Sequence, residues 1–424
     1  MIMSYNSFVY DLSEELKPEG NIEAECVAYF TPDKSFSGEF GFDWFRTGET
    51  GIKGDSHFKD IIGRHYSFDT ITKKKKTSGN YRNPFESLPE LYKKKKNSFS
   101  KFIISWKKKL TKLNDDNCDY TYYVPRMTLM KDKSAKLCVE VEINPKGKKP
   151  NEIKLQFENE KSLDFLSLNV NNLPIKNGKS SVIITCKNEF STVQILNVYA
   201  DNNICGKLKI LPNSKEFQRS INVVFVNVAT NLVKDDEPHT GKPYSGSKEL
   251  FEKTLNQALI TVSKGISNVT LDCTERKFCE NFCKNIGNEA FPNYVIDMNK
   301  ADSMKKYLTE QMNKKFDQQY SEYYQVFFFQ EYCVDANGIG INGYAYLNSL
   351  YGVYFASHNA ATVGHEMFHA LGLMHTFDYT DTRLSDYAYQ YAKTDNMLDY
   401  SHHVGIKRQS LFYWQWKKLN SRVK

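Results

Sequence analysis

"TVGHEMFHALGLMHTF", residues 362–377, sets three histidines, a glutamate and a glycine into an otherwise apolar helical stretch. Six of the nine histidines in the chain lie between His358 and His403. His365 and His369 are four apart, so on a helix they share one face. Two imidazoles at that spacing grip one metal ion from the same side. Glu366 stands one residue on, where a carboxylate reaches a metal-bound water without entering the ligand set. Gly372 permits the left-handed turn that ends a helix. The reversed chain then returns His375 as a third ligand. A fourth position remains for water, which is the open geometry of a catalytic zinc. Zinc lowers the pKa of such a water toward about 7, and Glu366 is placed to take its proton as general base.

HExxH alone arises by chance in roughly one chain in a hundred of this composition. The glycine and third histidine at fixed offsets lower that to the order of one in a hundred thousand. The competing reading is a core helix whose histidines bond to backbone. Three buried imidazoles and a glutamate are costly to satisfy that way without a metal.

"HEMFHALGLMH", residues 365–375, fits HExxHxxGxxH in full and resembles the metzincin zinc metalloproteases. With His375, Thr376 and Phe377 it is most similar to their pappalysin/cytophagalysin branch. The resemblance spans about residues 214–424. It implies an α+β catalytic domain with a twisted mixed sheet, an active-site helix and a C-terminal subdomain. It also implies a methionine turn beneath the metal. In "TDNMLDYS" the residues Asn396, Met397, Leu398, Asp399 and Tyr400 resemble the branch pattern N-x-M-D-Y. Aligned on Asp399 and Tyr400, Leu398 takes the methionine position and Met397 falls one early. The floor is then Leu398, or the turn shifts by one. Leu and Met are close in volume, so the site tolerates either. The resemblance puts Tyr400 near the metal as a further ligand or oxyanion donor; a packed aromatic is the alternative. His402 and His403 are expected outside the ligand set, since three ligands are already supplied. "GYAYL" supplies Gly343, Tyr344, Ala345 and Tyr346 at the position of the family's edge strand, where a substrate chain adds by β-augmentation.

Upstream, "INVVFVNVA" reads as a buried strand. "GSKELFEKTLNQALITVSKG" reads as a helix running toward Gly265, with Phe251, Leu255, Ala258, Leu259 and Val262 at helical spacing. "NVTLDC" and "YYQVFFFQEYC" read as strands, with a helix around Met304 to Phe316 between them. Alternating strands and helices predict an α/β layer. "GIGING", residues 338–343, matches GxGxxG, but "YAYLNS" follows where a helix is required. Asp335 and Asn337 begin like a calcium loop, yet Tyr346 stands where its glutamate belongs. The stretch reads as a loop entering an edge strand. "RQSLFYWQWKKLN" reads as an amphipathic closing helix, with Leu411, Trp414 and Leu419 packing back.

The chain has 424 residues, too many for one ordinary core. Two β-rich domains are expected ahead of the protease-like region. Residues 1–127 form the first, with Phe40, Phe42 and Trp44 alternating with Gly41 and Asp43. Residues 128–213 form a β-sandwich, where Leu137, Val139, Val141 and Ile143 alternate, as do Ile153, Leu155 and Phe157. The third domain is 214–424. Net charge is +7, but residues 73–112 hold fourteen basic residues against Glu86 and Glu90, so they alone carry +12. That run, broken by Pro84 and Pro89, reads as a solvated, mobile insertion. An anionic surface is its alternative partner; specific nucleic-acid readout lacks a recognisable reading element. Nine cysteines spread along the chain predict free, buried thiols. Cys279 and Cys283 share a helix face, without the spacing of a zinc knuckle.

The opening "MIMSYNSFVYDLSEELK" has no basic region or apolar core of a secretory signal, and no run reaches membrane-spanning length. The expectation is a chain made in the cytoplasm, with export by a signal-independent route as the other option. The leading function is a zinc endopeptidase acting on protein or peptide substrates. The alternatives are a zinc hydrolase of cell-wall peptides, and a secretion-machine carrier or effector whose N-terminal domains dock partners.

Overall fold

The structure is a computed structural model that describes residues 18–78, 80–108, 119–232, 237–287, 293–379 and 385–423. The opening stretch read for a signal and part of the lysine run lie outside the described residues. The architecture is mixed α+β, with several sheets. It divides into two units. One comprises Met1–Gln218, Lys253–Leu259 and His375–Ser421; the other comprises Arg219–Glu252, Ile260–Met374 and Arg422–Lys424.

In the first unit two sheets enclose one core. Leu166–Leu168, Gly178–Cys186, Ser134–Ile143 and Cys26–Pro32 form an antiparallel sheet in that order. Ile153–Phe157, Gln194–Ala200, Asn203–Ile210, Arg126–Thr128 and Gly41–Asp43 form the second. The period-two pattern decides which side chains enter. Ala135, Leu137, Val139 and Val141 are buried, as are Ile153, Leu155 and Phe157. Phe30, Phe42 and Val124 lie in that same core. The expected boundary at 127/128 therefore does not exist. Val139 pairs with Phe30, and Ile210 with Met127, so strands from both expected domains build common sheets.

The lysine run also departs from expectation. Residues 89–97 form the helix Pro89–Asn97, with proline in its first turn. Lys93 and Lys94 are exposed, but Lys95 is only 1% exposed. Its Nζ lies 3.6 Å from Asp43 Oδ2. Four rings surround it, with the Phe58, Phe99, Tyr387 and Phe412 centroids 5.1–5.3 Å from Nζ. Ile62 bridges Tyr389, and Gln390 N donates to Ile61 O at 2.6 Å. Residues 89–97 of this segment are thus built into the unit rather than appended to it, while residues 73–76 stay exposed as expected.

The expected helix toward Gly265 ends early. It spans Ser247–Asn256, and Ile260–Val262 is instead a strand paired in parallel with Arg219–Ile221. Leu259 makes the break at φ 56°. Gln257 is fully buried there and holds three segments together. Its Nε2 donates to Gly38 O at 3.0 Å and Gln409 O at 2.8 Å, and its Oε1 accepts from Leu411 N at 2.8 Å. Gly41 must be glycine beside it: a Cβ would meet Thr128 Oγ1 at 2.2 Å and Gln257 O at 2.8 Å. The closing helix, Tyr413–Arg422, buries Trp414 and Leu419 as expected; Leu411, also buried, precedes it.

The second unit carries the sheet that positions the histidine helix. Ser267–Cys273, Val223–Thr230, Tyr324–Phe328 and Tyr351–Tyr354 are neighbours in parallel register. Gly343–Ala345 pairs antiparallel with Tyr351–Tyr354 and ends the sheet. The central strands are apolar on both faces, as parallel strands covered by helices require. Ala301–Lys315 buries Met304, Leu308 and Met312, spaced by one helical turn, in the same core. "GIGING" leads into the edge strand without a helix, as expected, but it is not all loop: Gly340–Ile341 pairs with Cys333–Val334. Tyr346 does not belong to that strand. It is 40% exposed beyond Ala345, and its hydroxyl donates to Asp302 Oδ1 at 2.5 Å. Cys283 leaves the helix Arg276–Phe282 to begin a strand, so it does not share a helix face with Cys279. Burial pushes both thiols up in pKa, which favours the protonated form over a metal-binding thiolate. All the described cysteines are free.

Candidate metal centre

The helix Ala360–Ala370 follows the strand Tyr351–Tyr354 and packs on that strand and on Gly343–Ala345. Its start is fixed locally. Asn359 Oδ1 accepts from Ala361 N at 3.0 Å and Thr362 N at 3.1 Å, while Thr362 Oγ1 accepts from Asn359 N at 3.2 Å. Its end is fixed by Gly372 at φ 90°. Leu373 N donates to Phe368 O and Gly372 N to His369 O, both at 2.8 Å. These are the two bonds of a Schellman turn. A Cβ at Gly372 would also run into Arg422 Nη1, the donor to Gly372 O. Tyr354 locks the helix to the sheet, its hydroxyl donating to Val363 O at 3.0 Å.

His365 and His369 are 2% and 8% exposed, and their Nε2 atoms lie 3.3 Å apart. With His375 they bring one ligand nitrogen each to within 4.8 Å of one another. Among the described residues this is the group able to hold a metal. The ring tautomers suit that role. His369 Nδ1 faces Leu373 O at 2.7 Å. A carbonyl only accepts, so Nδ1 carries the proton and Nε2 presents its lone pair. His375 Nδ1 faces Asp378 Oδ2 at 3.1 Å, with the same consequence. Both contacts orient a ring and fix its tautomer, as groups behind metal-binding histidines do. The donor set therefore fits a divalent metal that takes imidazole.

Glu366 reaches past the edge strand. A Cβ on Gly343 would lie 3.4 Å from Glu366 Cγ, so the glycine leaves the carboxylate stem room beside the strand backbone. Burial, then the Glu366 charge, pushes the Tyr354 hydroxyl well up in pKa and keeps it a neutral donor. Tyr344 is buried beneath the edge, its hydroxyl bonded to Ala301 O at 3.3 Å.

The turn after the third histidine is held from several sides. Asp399 is fully buried. Its carboxylate accepts from Ala392 N at 2.8 Å, Thr394 N at 2.9 Å, Thr394 Oγ1 at 2.8 Å and Tyr400 N at 2.7 Å. Burial pushes its pKa up against those bonds. Asn396 Oδ1 accepts from Leu398 N at 3.0 Å, and Met397 N donates to Ser410 O at 2.8 Å. Leu398 O accepts from Thr376 N, next to His375, at 3.2 Å. Met397 and Leu398 are both 0% exposed. The half-buried Tyr400 ring meets His375 edge-on, centroids 4.9 Å apart.

The other histidines take different roles. His358 bonds Phe355 O through Nδ1 at 2.6 Å and accepts from Tyr244 N through Nε2 at 3.0 Å, so both nitrogens are occupied. His402 is pulled down to about pKa 4 by burial, then by Arg408 and His403. Neither it nor the exposed His403 belongs to the metal-binding group. Sequence reasoning missed Asp378 and Asn359. Asp378, three residues beyond a ligand, was readable as its partner; the Leu373 carbonyl leaves no mark in a sequence.

No family model matches the chain, and no curated protein matches it.

Proposed function

We propose that the chain is a zinc-dependent endopeptidase of the metzincin kind, cutting peptide bonds in protein or peptide substrates. The observation that carries this reading is the convergence of His365, His369 and His375, with Nδ1 of His369 and His375 each engaged by an acceptor. The spacing HExxHxxGxxH, and a parallel sheet ending in an antiparallel edge strand, support it. Zinc held by the three imidazoles would supply Lewis acidity toward water and toward a substrate carbonyl. Glu366 acts as general base, its carboxylate holding the proton removed from water and returning it to the leaving amine. Gly343, Tyr344 and Ala345 offer an edge to which an extended substrate adds as a further strand. The Tyr400 hydroxyl, beside His375, donates to the carbonyl oxygen as negative charge develops there.

Metal analysis of purified protein is expected to give about one zinc per chain. Glu366→Ala is expected to keep that zinc and to lower casein cleavage by roughly 10²–10⁴-fold. Undiminished zinc-dependent cleavage by that variant would remove Glu366 from the mechanism. Protein that binds zinc and cleaves no protein or peptide would remove the peptidase assignment.

A further inference from the structure

The lysine-rich segment reaches the surroundings of the third histidine. Residues 80–83 form a tight turn closed by Asn83 N donating to Asn80 O at 3.1 Å. Arg82 N donates to Asn80 Oδ1 at 3.0 Å. The turn is anchored behind by Asn83 Nδ2 to Ser78 Oγ at 2.8 Å and by His65 Nδ1 to Asn83 O at 2.9 Å. Its two central residues are Tyr81 and Arg82.

Tyr81 stacks on Tyr391 with centroids 4.0 Å apart and planes 6° from parallel. Tyr391 stands edge-on to Phe377 at 5.2 Å and to Tyr400 at 5.9 Å. Phe377 stacks on the His375 ring at 4.8 Å. An unbroken series of rings thus runs from the turn to the third ligand. Phe377 is buried beneath it, whereas Tyr81, Tyr391, Tyr400 and His375 are each half-buried. The open faces form an aromatic surface beside the metal-binding group.

Two carboxylates lie near these rings, but Asp378 Oδ2 is held by His375 Nδ1 at 3.1 Å and Asp399 is fully buried, so the fully exposed charge on the hairpin is basic. Arg82 is exposed, and so are Lys73, Lys74 and Lys76 on the same hairpin. A third carboxylate, Glu86, is already engaged by Lys75 at 2.7 Å and Arg64 at 3.4 Å. Arg82 is close enough to Tyr391 for its charge to oppose the rise in that hydroxyl's pKa, which burial and Tyr81 push up to about 12. Aromatic faces bury the apolar part of a side chain, and an adjacent cation rewards a carboxylate while rejecting an ammonium.

We propose that the turn at residues 80–83 is a specificity wall of the substrate site, with Tyr81 and Tyr391 packing a substrate side chain and Arg82 pairing with its carboxylate. The preferred substrate is an acidic peptide segment. This rests on the peptidase assignment and adds to it a substrate class and a residue that selects it.

The test is cleavage of a random peptide library by the full chain, read by mass spectrometry, followed by kinetics on matched peptides bearing Glu or Lys beside the scissile bond. Wild-type protein is expected to favour Glu. Arg82→Glu is expected to lower the Glu-to-Lys ratio of kcat/KM by about tenfold or more. Arg82→Lys is expected to keep most of that ratio, and Tyr81→Ala to raise KM on both peptides more than it lowers kcat. Zinc content is expected to stay constant throughout. An unchanged ratio in an active Arg82→Glu protein, or a wild-type preference for Lys, overturns the wall and leaves the peptidase assignment standing. Zinc-loaded wild type that cleaves neither peptide nor library overturns both.

Discussion

Residues 362–377 and residues 73–112 are the two most conspicuous stretches of this chain, one dense in histidine and one in lysine. Spacing along the chain foretold the grouping of the first. Composition misdescribed the second. His365, His369 and His375 are tied by a helical repeat and one glycine turn, all within eleven residues. Lys95 sits among lysines that face water, yet its surroundings come from Asp43, Phe58, Phe99, Tyr387 and Phe412. Nothing in the run KKKK distinguishes its third member. Local geometry propagates over a turn or two of helix; the burial of Lys95 is set by partners drawn from positions as far apart as Asp43 and Phe412.

Substitution can break or sharpen this contrast. The largest effect on stability is expected in the lysine run. Lys95→Met leaves the buried Asp43 carboxylate without its cation and is expected to cost about 3–5 kcal/mol. Lys94→Met, on the exposed side, is expected to stay within about 0.5 kcal/mol. Urea unfolding of both variants checks this, and equal shifts would mean that Lys95 is not the buried member.

The pH dependence has a definite sign. Burial pushes the Lys95 amine down to about pKa 8, against the opposing pull of Asp43, from an ordinary value of 10.5. Between those values the unfolded chain binds more protons than the folded one, so this residue's contribution grows as pH rises. It is lost as pH falls through about 8. The unfolding free energy of wild type relative to Lys95→Met should therefore rise from pH 8 to pH 10. A flat or falling difference would contradict the assigned environment.

A smaller effect than that of Lys95→Met is expected in the histidine stretch. Asn359→Ala removes the cap of the Ala360–Ala370 helix and is expected to cost about 1 kcal/mol, with zinc stoichiometry retained. Loss of zinc in that variant would show that the cap positions the ligands and does more than start the helix.

Other elements divide along the same line. Leu137, Val139 and Val141 announced their strand, because alternation is a property of neighbours. The pairing of that strand with Cys26–Pro32 was not legible, since more than a hundred residues separate them, and the expected boundary at 127/128 failed for that reason. The Ser247–Asn256 helix was legible, but its end was not. Leu255, Ala258 and Leu259 keep helical spacing past Asn256, while Ile260–Val262 is recruited by Arg219–Ile221. The edge position of Gly343, Tyr344 and Ala345 followed from a resemblance, and the sheet order agrees with it. Tyr346 failed because Asp302, on a helix begun far upstream, draws its hydroxyl away.

The sequence by itself determined where the histidine helix stops, which face carries His365 and His369, and that His375 must follow a turn. Those are consequences of helical periodicity and of the one φ that Gly372 accepts easily. Only the three-dimensional structure showed which nitrogen of His369 and His375 carries the proton, because the nearness of Leu373 O and Asp378 Oδ2 chooses the tautomer. It also decided that Lys95 is a core residue and that Tyr81 stacks beside the third histidine. Each depends on atoms meeting through space, and that proximity is not written in the spacing of residues along the chain.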